Sequence, residues 1–325
     1  MMAMRIAGCS HLALLAMLQP TGFAQSVRTH APILREVTGF GSNPGNLRMF
    51  IREPLGARKL EGKRPLVVVL HGCGQDAGGI LRLSGWGAIA DSAGAYLLLA
   101  EQKGSNNPWR CFYWFRQADT APGRGEVASI AQMIEHAAGK YPIDRQRVSA
   151  YGVSAGGAMT VALMTCYPQL LQHAAVLAGT PYGGVKKGEA ERRPVVHPGA
   201  LSPAEWAARV RAVRDGPVAH EPRLVVLHGT RDPLADYDLA RALVAQWTSI
   251  ASTDSIPDTS ELIGARKEVM RFGYRDSTGG EPVVLYRIKG LGHRLAQDDE
   301  GTGWLGKDVG FNSTRAIARE FGLLP

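Results

Sequence analysis

The sequence predicts an α/β fold, one mostly parallel sheet with helices on both faces. Two observations carry that expectation. Short apolar, β-branched runs alternate with longer amphipathic stretches along most of the 325 residues. The runs are also nearly continuous in hydrophobicity, as strands covered on both faces must be. A 45% apolar and 20% charged composition can supply one large core or two small ones.

In chain order, Ile33–Phe40 and Leu47–Ile51 read as edge strands joined by the turn Gly41-Ser-Asn-Pro-Gly45. Buried strands are expected at Leu66–Leu70, Ala95–Leu99, Arg147–Tyr151, Ala174–Leu177, Leu224–Leu227 and Val283–Ile288. Helices are expected at Gly85–Ala93, Glu126–Ala138, Ala155–Tyr167, Pro203–Val213, Leu234–Thr248 and Ser313–Phe321. Ser202 before Pro203 suits a helix start, with Ser as cap and Pro in the first turn. Gly183–Pro222 is a long excursion without a strand, expected to act as a short cap over the site. With no repeat, linker or low-complexity tract, the reading is one catalytic domain, 25–325, after a signal peptide, 1–24.

That leader is read from Arg5, the apolar core Leu12-Ala-Leu-Leu-Ala-Met-Leu18 and the small residues up to Ala24. It predicts secretion, extracellular or periplasmic, with cleavage near Ala24. No later segment reads as transmembrane, and Cys9 lies ahead of the apolar core, so no membrane anchor is expected. The formal charge of +8 is scattered, and the densest basic group (Lys186, Lys187, Arg192, Arg193) is broken by Glu189 and Glu191. A solvated basic surface therefore fits better than a nucleic-acid partner. No Cys/His spacing suggests zinc, and no cofactor or metal is implied. Past the leader, Cys73, Cys111 and Cys166 imply one disulfide and one thiol, and counting leaves the pair open.

Gly152-Val-Ser-Ala-Gly156 fits the Gly-x-Ser-x-Gly nucleophile elbow of α/β-hydrolases, between an expected strand and an expected apolar helix. The turn lifts Ser154 to the N-terminus of the helix, whose dipole favours developing negative charge. A serine needs a base held by an acid, and on this scaffold the order is Ser, acid, His. His293, in Gly290-Leu-Gly-His293 after the last strand, is the histidine in that order. Asp232 is the favoured acid, a short turn beyond Leu224–Leu227; Asp236 and Asp238 read as first-turn helix residues and Asp276 as a hairpin residue. The oxyanion donors are expected from the backbone of Ala155 and of Cys73, the latter in the loop His71-Gly-Cys-Gly74. The aromatic run Trp109–Phe115 reads as a substrate wall, with Trp109, Tyr113, Trp114 and Tyr182 as candidate contacts.

At this point the chain resembles the polyhydroxybutyrate depolymerase family of esterases, which is similar to feruloyl and acetylxylan esterases. The likeness rests on Leu70-His-Gly-Cys-Gly-Gln75, Ser84-Gly-Trp-Gly-Ala88, Asn107-Pro-Trp-Arg-Cys-Phe-Tyr-Trp-Phe115, Arg124-Gly-Glu126 and Ser154-Ala-Gly-Gly-Ala-Met159. It continues through Ala178-Gly-Thr-Pro-Tyr182, His228-Gly-Thr-Arg-Asp232, Gly292-His293 and Gly310-Phe-Asn-Ser-Thr314. The resemblance implies a Ser154–Asp232–His293 triad and a Cys73–Cys111 disulfide, leaving Cys166 as a buried thiol. It also implies a serine esterase of hydroxyalkanoate polyesters or oligomers. The alternative substrate is a feruloyl or acetyl ester of plant polysaccharide; a silent polymer- or glycan-binding protein is the alternative of another class. The chain departs from the family at Tyr113, often Asn, and at Arg294-Leu295, often Ala-Trp. Depolymerases of this type often append a polymer-binding domain; this chain stops at Pro325, so weak adhesion to crystalline polymer is expected.

Overall fold

A computed structural model describes residues 34–57, 60–184, 201–214, 216, 218–298 and 306–325. The expected leader and much of the excursion, 185–200, lie outside these residues.

In chain order the elements are β1 (Arg35–Val37), β2 (Arg48–Arg52), β3 (Arg64–Leu70), α1 (Ala77–Ser84), α2 (Trp86–Ala93), β4 (Tyr96–Glu101), α3 (Gln117–Thr120) and α4 (Gly125–Lys140). The chain continues through β5 (Ile143–Val153), α5 (Ala155–Cys166), β6 (His173–Leu177), α6 (Pro203–Arg211), β7 (Arg223–Gly229) and α7 (Asp238–Ile250). It ends with β8 (Thr259–Ile263), β9 (Val269–Tyr274), β10 (Val283–Ile288), β11 (Leu295–Gln297), β12 (Gly306–Asp308) and α8 (Ser313–Glu320). Ten strands form one sheet in the order β1-β2-β4-β3-β5-β6-β7-β10-β9-β8, parallel from β4 through β10 and antiparallel at both edges. This is the doubly wound sheet that the alternating pattern predicts.

Side-chain alternation divides the core between the two faces. Leu66, Val68 and Leu70 of β3 pack with Leu98 and Val226 under α4 and α5, whereas Val67 and Val69 pack with Trp86 and Leu99 under α1 and α2. The helix α5 is buried along nearly its whole length, which explains why its sequence is small and apolar all round.

Six elements, α1, α3, β8, β9, β11 and β12, lie where none is expected, and α7 starts late. The helix α1 is a new element: its Ala-Gly-Gly start has poor helix propensity, but Asp76 caps it by accepting from Gly79 N at 2.7 Å, and Ile80 and Leu83 are buried. β8 and β9 form an antiparallel ribbon of largely half-exposed residues, too weakly apolar to stand out. α7 begins at Asp238 rather than Leu234, because Asp232 and His228 occupy backbone groups of 234 and 235. The described part of the excursion is α6, with Trp206 O accepting from Gln246 Nε2 of α7 at 3.0 Å; no described residue between 183 and 222 lines the cavity at Ser154. No helix among the described residues is long and apolar enough to cross a membrane.

At the edge remote from Ser154, Glu320 of α8 binds Arg271 Nε at 2.9 Å, Arg223 at 2.7 Å and Tyr286 Oη at 2.5 Å, tying α8 to β7, β9 and β10. Burial opposes ionisation of Glu320, yet these partners outweigh it and hold its carboxyl down at about 2. A depressed folded pKa stabilises above the unfolded value and is lost as pH falls towards the folded one. Glu320→Gln should therefore cost about 2–3 kcal/mol at pH 7, below the full buried-pair penalty. In denaturant unfolding, the gap from wild type should shrink between pH 4.5 and about 2.

Candidate active site

Ser154 is the single residue between β5 and α5, and it has φ 55° and ψ −121°. Such a conformation is strained for a side chain with a Cβ and persists only where its surroundings enforce it. Ser154 N donates to Leu177 O of β6 at 2.8 Å. A Cβ on Gly152 would lie 2.2 Å from Gly156 O, and one on Gly156 would lie 2.4 Å from Leu70 O. The two glycines thus let α5 start against β5 and β3, which leaves the hydroxyl projecting from a helix N-terminus.

Parallel pairing of β7 with β10 brings the two following loops together. Thr230 N donates to Ile288 O at 3.0 Å, Arg231 N to Leu291 O at 3.0 Å and Gly290 N to Thr230 Oγ1 at 2.9 Å. Across this seam Asp232 Oδ2 lies 2.7 Å from His293 Nδ1, and His293 Nε2 lies 2.9 Å from Ser154 Oγ. A carboxylate only accepts, so Nδ1 carries the proton and Nε2 accepts from the serine. Asp232 Oδ1 accepts from Leu234 N and Ala235 N, both at 2.9 Å. Burial works against the charge on Asp232, but His293 and the two amides hold its pKa below the usual carboxylate value.

A second histidine, His228, lies at the end of β7. It is buried, and its Nε2 donates to Ala235 O at 2.9 Å, bracing the loop that supplies the amides to Asp232. Burial lowers its pKa and keeps it neutral, 3.7 Å from Asp232. Because His228 precedes Asp232, it does not compete with His293 for the base position.

The loop after β3 is held as firmly. Buried His71 accepts from Gln102 N through Nε2 at 3.0 Å, so its proton sits on Nδ1, which donates to Gly72 O at 2.7 Å. Burial lowers the His71 pKa and keeps the ring neutral. Fixing the carbonyl of Gly72 also fixes the Cys73 N–H of the same trans peptide, which points the opposite way. A Cβ on Gly72 would lie 3.5 Å from Ser154 Cβ, so this loop runs directly beside the serine. The Cys73–Cys111 disulfide and Gly74 N donating to Trp109 O at 2.8 Å join it to the aromatic loop. Cys166 is left as the free thiol, half-buried, donating to Thr120 O at 3.0 Å.

A cavity of about 1320 Å³ opens on Ser154 and is lined by Trp109, Trp114, Phe115, Leu234 and Leu295 among others. The aromatic candidates divide here. Trp109, 78% exposed, and Trp114 are on the wall. Tyr113 and Tyr182 are not: Tyr113 Oη donates to Asn106 O at 2.6 Å, and Tyr182 Oη to Thr120 O at 2.9 Å beside the core. Both hydroxyls serve main-chain carbonyls, a use that aromatic content alone could not separate from substrate contact. Among the described residues no cluster could hold a metal ion. The hydrogen bond between Ser154 Oγ and His293 Nε2 gives the hydroxyl proton a path to the imidazole. Removing the disulfide by Cys73→Ser/Cys111→Ser frees a loop closed over a separation of 38 residues, and should cost about 4 kcal/mol in denaturant unfolding.

Residues 50–257 match the family described as Esterase PHB depolymerase. Poly(3-hydroxyalkanoate) depolymerase C of Paucimonas lemoignei is 34% identical over 83% of this chain, and the match spans 63% of that relative's length. Feruloyl esterase B of Talaromyces stipitatus is 30% identical over 88% of this chain and 76% of its own. The structure of acetyl xylan esterase from Aspergillus awamori superposes with a TM-score of 0.73 at 22% identity, covering 90% of this chain and 99% of that one, and so shares the fold. With more than half its length matched by the family and two relatives at 30% identity or above, the chain belongs to the esterase PHB depolymerase family.

Proposed function

We propose that this chain is a secreted serine esterase that hydrolyses carboxylic esters through an acyl-enzyme, with hydroxyalkanoate polyesters or their oligomers as substrate. The observation that carries the reading is the continuous Asp232–His293–Ser154 hydrogen-bond chain, 2.7 and 2.9 Å, opening into the apolar cavity. Family membership points to the same chemistry.

In the reaction, Ser154 Oγ attacks the ester carbonyl carbon as its proton passes to His293 Nε2. The carbonyl electrons move onto oxygen, where the Cys73 and Ala155 amides donate to the oxyanion. Collapse breaks the ester C–O bond, and His293 returns the proton to the departing alcohol. Water then adds to the acyl-enzyme, giving its proton to His293, and the acid leaves with Ser154 restored. Asp232 keeps the imidazole in the tautomer this cycle needs and stabilises its protonated form.

Two features favour oligomers with a free carboxylate end. The wall is mainly apolar, suiting a methyl-branched polyester. The charged side chains among its described lining residues are Arg231, Arg294 and Lys307, all cationic. Two of them, Arg294 and Lys307, belong to or contact the loop of His293, the residue that protonates the departing alcohol in this scheme. Secretion rests on the leader pattern and on the disulfide, which suits an oxidising compartment. The second reading, a feruloyl or acetyl ester of polysaccharide, is favoured by the longer coverage of the feruloyl esterase relative.

With p-nitrophenyl butyrate, Ser154→Ala should lower kcat by at least about 10³-fold and Asp232→Asn by roughly 10³–10⁴-fold. Equal rates for wild type and Ser154→Ala would overturn the mechanism. On a substrate panel, 3-hydroxybutyrate oligomers with a free carboxyl end should give higher kcat/KM than their methyl esters, methyl ferulate or acetylated xylan. The advantage over the methyl esters should shrink as salt is added.

A further inference from the structure

We propose that Glu126 is a positioning residue for this site, its carboxyl fixing the two disulfide-linked loops that present the Cys73 amide and the aromatic wall. The proposal rests on the esterase reading above.

Glu126 is the second residue of α4 and 1% exposed. One carboxyl oxygen accepts from Tyr113 N at 2.7 Å, in the middle of the aromatic loop. The other accepts from Gln102 Nε2, which also donates to Cys111 O at 3.2 Å, at the disulfide itself. Gln102 cannot turn its amide over without loss, because its Oε1 accepts from Lys103 N at 3.0 Å and Asn106 Nδ2 at 2.8 Å. Its backbone N–H meets His71, the ring that holds the Gly72–Cys73 peptide. Glu126 thus sits at the end of a buried relay whose members touch both walls of the cavity, while Glu126 itself is absent from the lining. Both partners of its oxygens are N–H donors, so only a group accepting at two points completes the relay.

The charged groups facing it are Asp119 of α3, which accepts from Glu126 N, and Arg116 in the turn before α3. Burial, with Asp119 adding to it, raises the Glu126 carboxyl to about 8. A carboxyl buried this way weakens the fold as pH rises from its ordinary value to the raised one, so packing alone does not explain its presence.

The experiment compares wild type, Glu126→Gln, Gln102→Met and the double variant with p-nitrophenyl butyrate, with kcat normalised to sites titrated by a fluorophosphonate. Oxyanion donors act chiefly in the transition state, so kcat should fall about 10–100-fold while KM stays within about threefold. The double variant should lose less than the product of the single losses, because both substitutions cut one relay. An unchanged kcat per titrated site in Glu126→Gln, or losses that simply multiply, would overturn the proposal. If Glu126→Gln does not fold, Gln102→Met decides alone: a kcat loss at steady KM supports the relay, and wild-type kinetics overturn it. Ser154→Ala in the same assay separates the two levels, since only its retention of turnover would sink the esterase reading.

Discussion

The close approach of α5 to β3 and β5 is the constraint on which the rest of the site depends. Gly152 and Gly156 leave no space for a side chain, and the chain turns from strand to helix through one residue. The strain at Ser154 is sustained by packing on both faces of the sheet and by the bond from Ser154 N to Leu177 O. Everything chemically useful lies within reach of that point: the helix N-terminus behind the hydroxyl, the loop after β3 beside it, and the paired loops after β7 and β10 opposite.

Around this point His71, His228 and one oxygen of Asp232 are braced by backbone partners. His71 is oriented by Gly72 O and Gln102 N, His228 by Ala235 O, and Asp232 by the Leu234 and Ala235 amides. Main-chain partners cannot change protonation state, so they set the His71 and His228 tautomers unambiguously. Burial then keeps His71 and His228 neutral and leaves His293 as the base facing the serine. Such preorganisation suits a site whose work is to stabilise charge that appears only in transit.

Much of this was legible in the residues. The elbow pattern, the Ser–acid–His order and the alternation of buried strands were enough to bring Ser154, Asp232 and His293 together on paper, and the covering of β3 on both faces follows from its continuous apolar run. Other parts were illegible for identifiable reasons. The ribbon β8–β9 buries too little on either face to carry a hydrophobic signal. The start of α7 is displaced because Asp232 and His228 claim backbone that a helix would otherwise use. Tyr113 and Tyr182 share the aromatic character of Trp109 and Trp114, yet their hydroxyls are committed to Asn106 and Thr120 carbonyls.

By itself the sequence determined the layered fold and the identities and order of the candidate residues that meet at Ser154, because periodic hydrophobicity and sharp glycine turns are local properties. Only the tertiary structure decided which polar residues face one another. Glu126, Gln102 and His71 lie on three separate segments and carry no shared pattern, and they meet solely because β3, β4 and α4 pack side by side. Burial there replaces water with specific partners, and a partner chosen across the fold leaves no trace in the spacing of either residue.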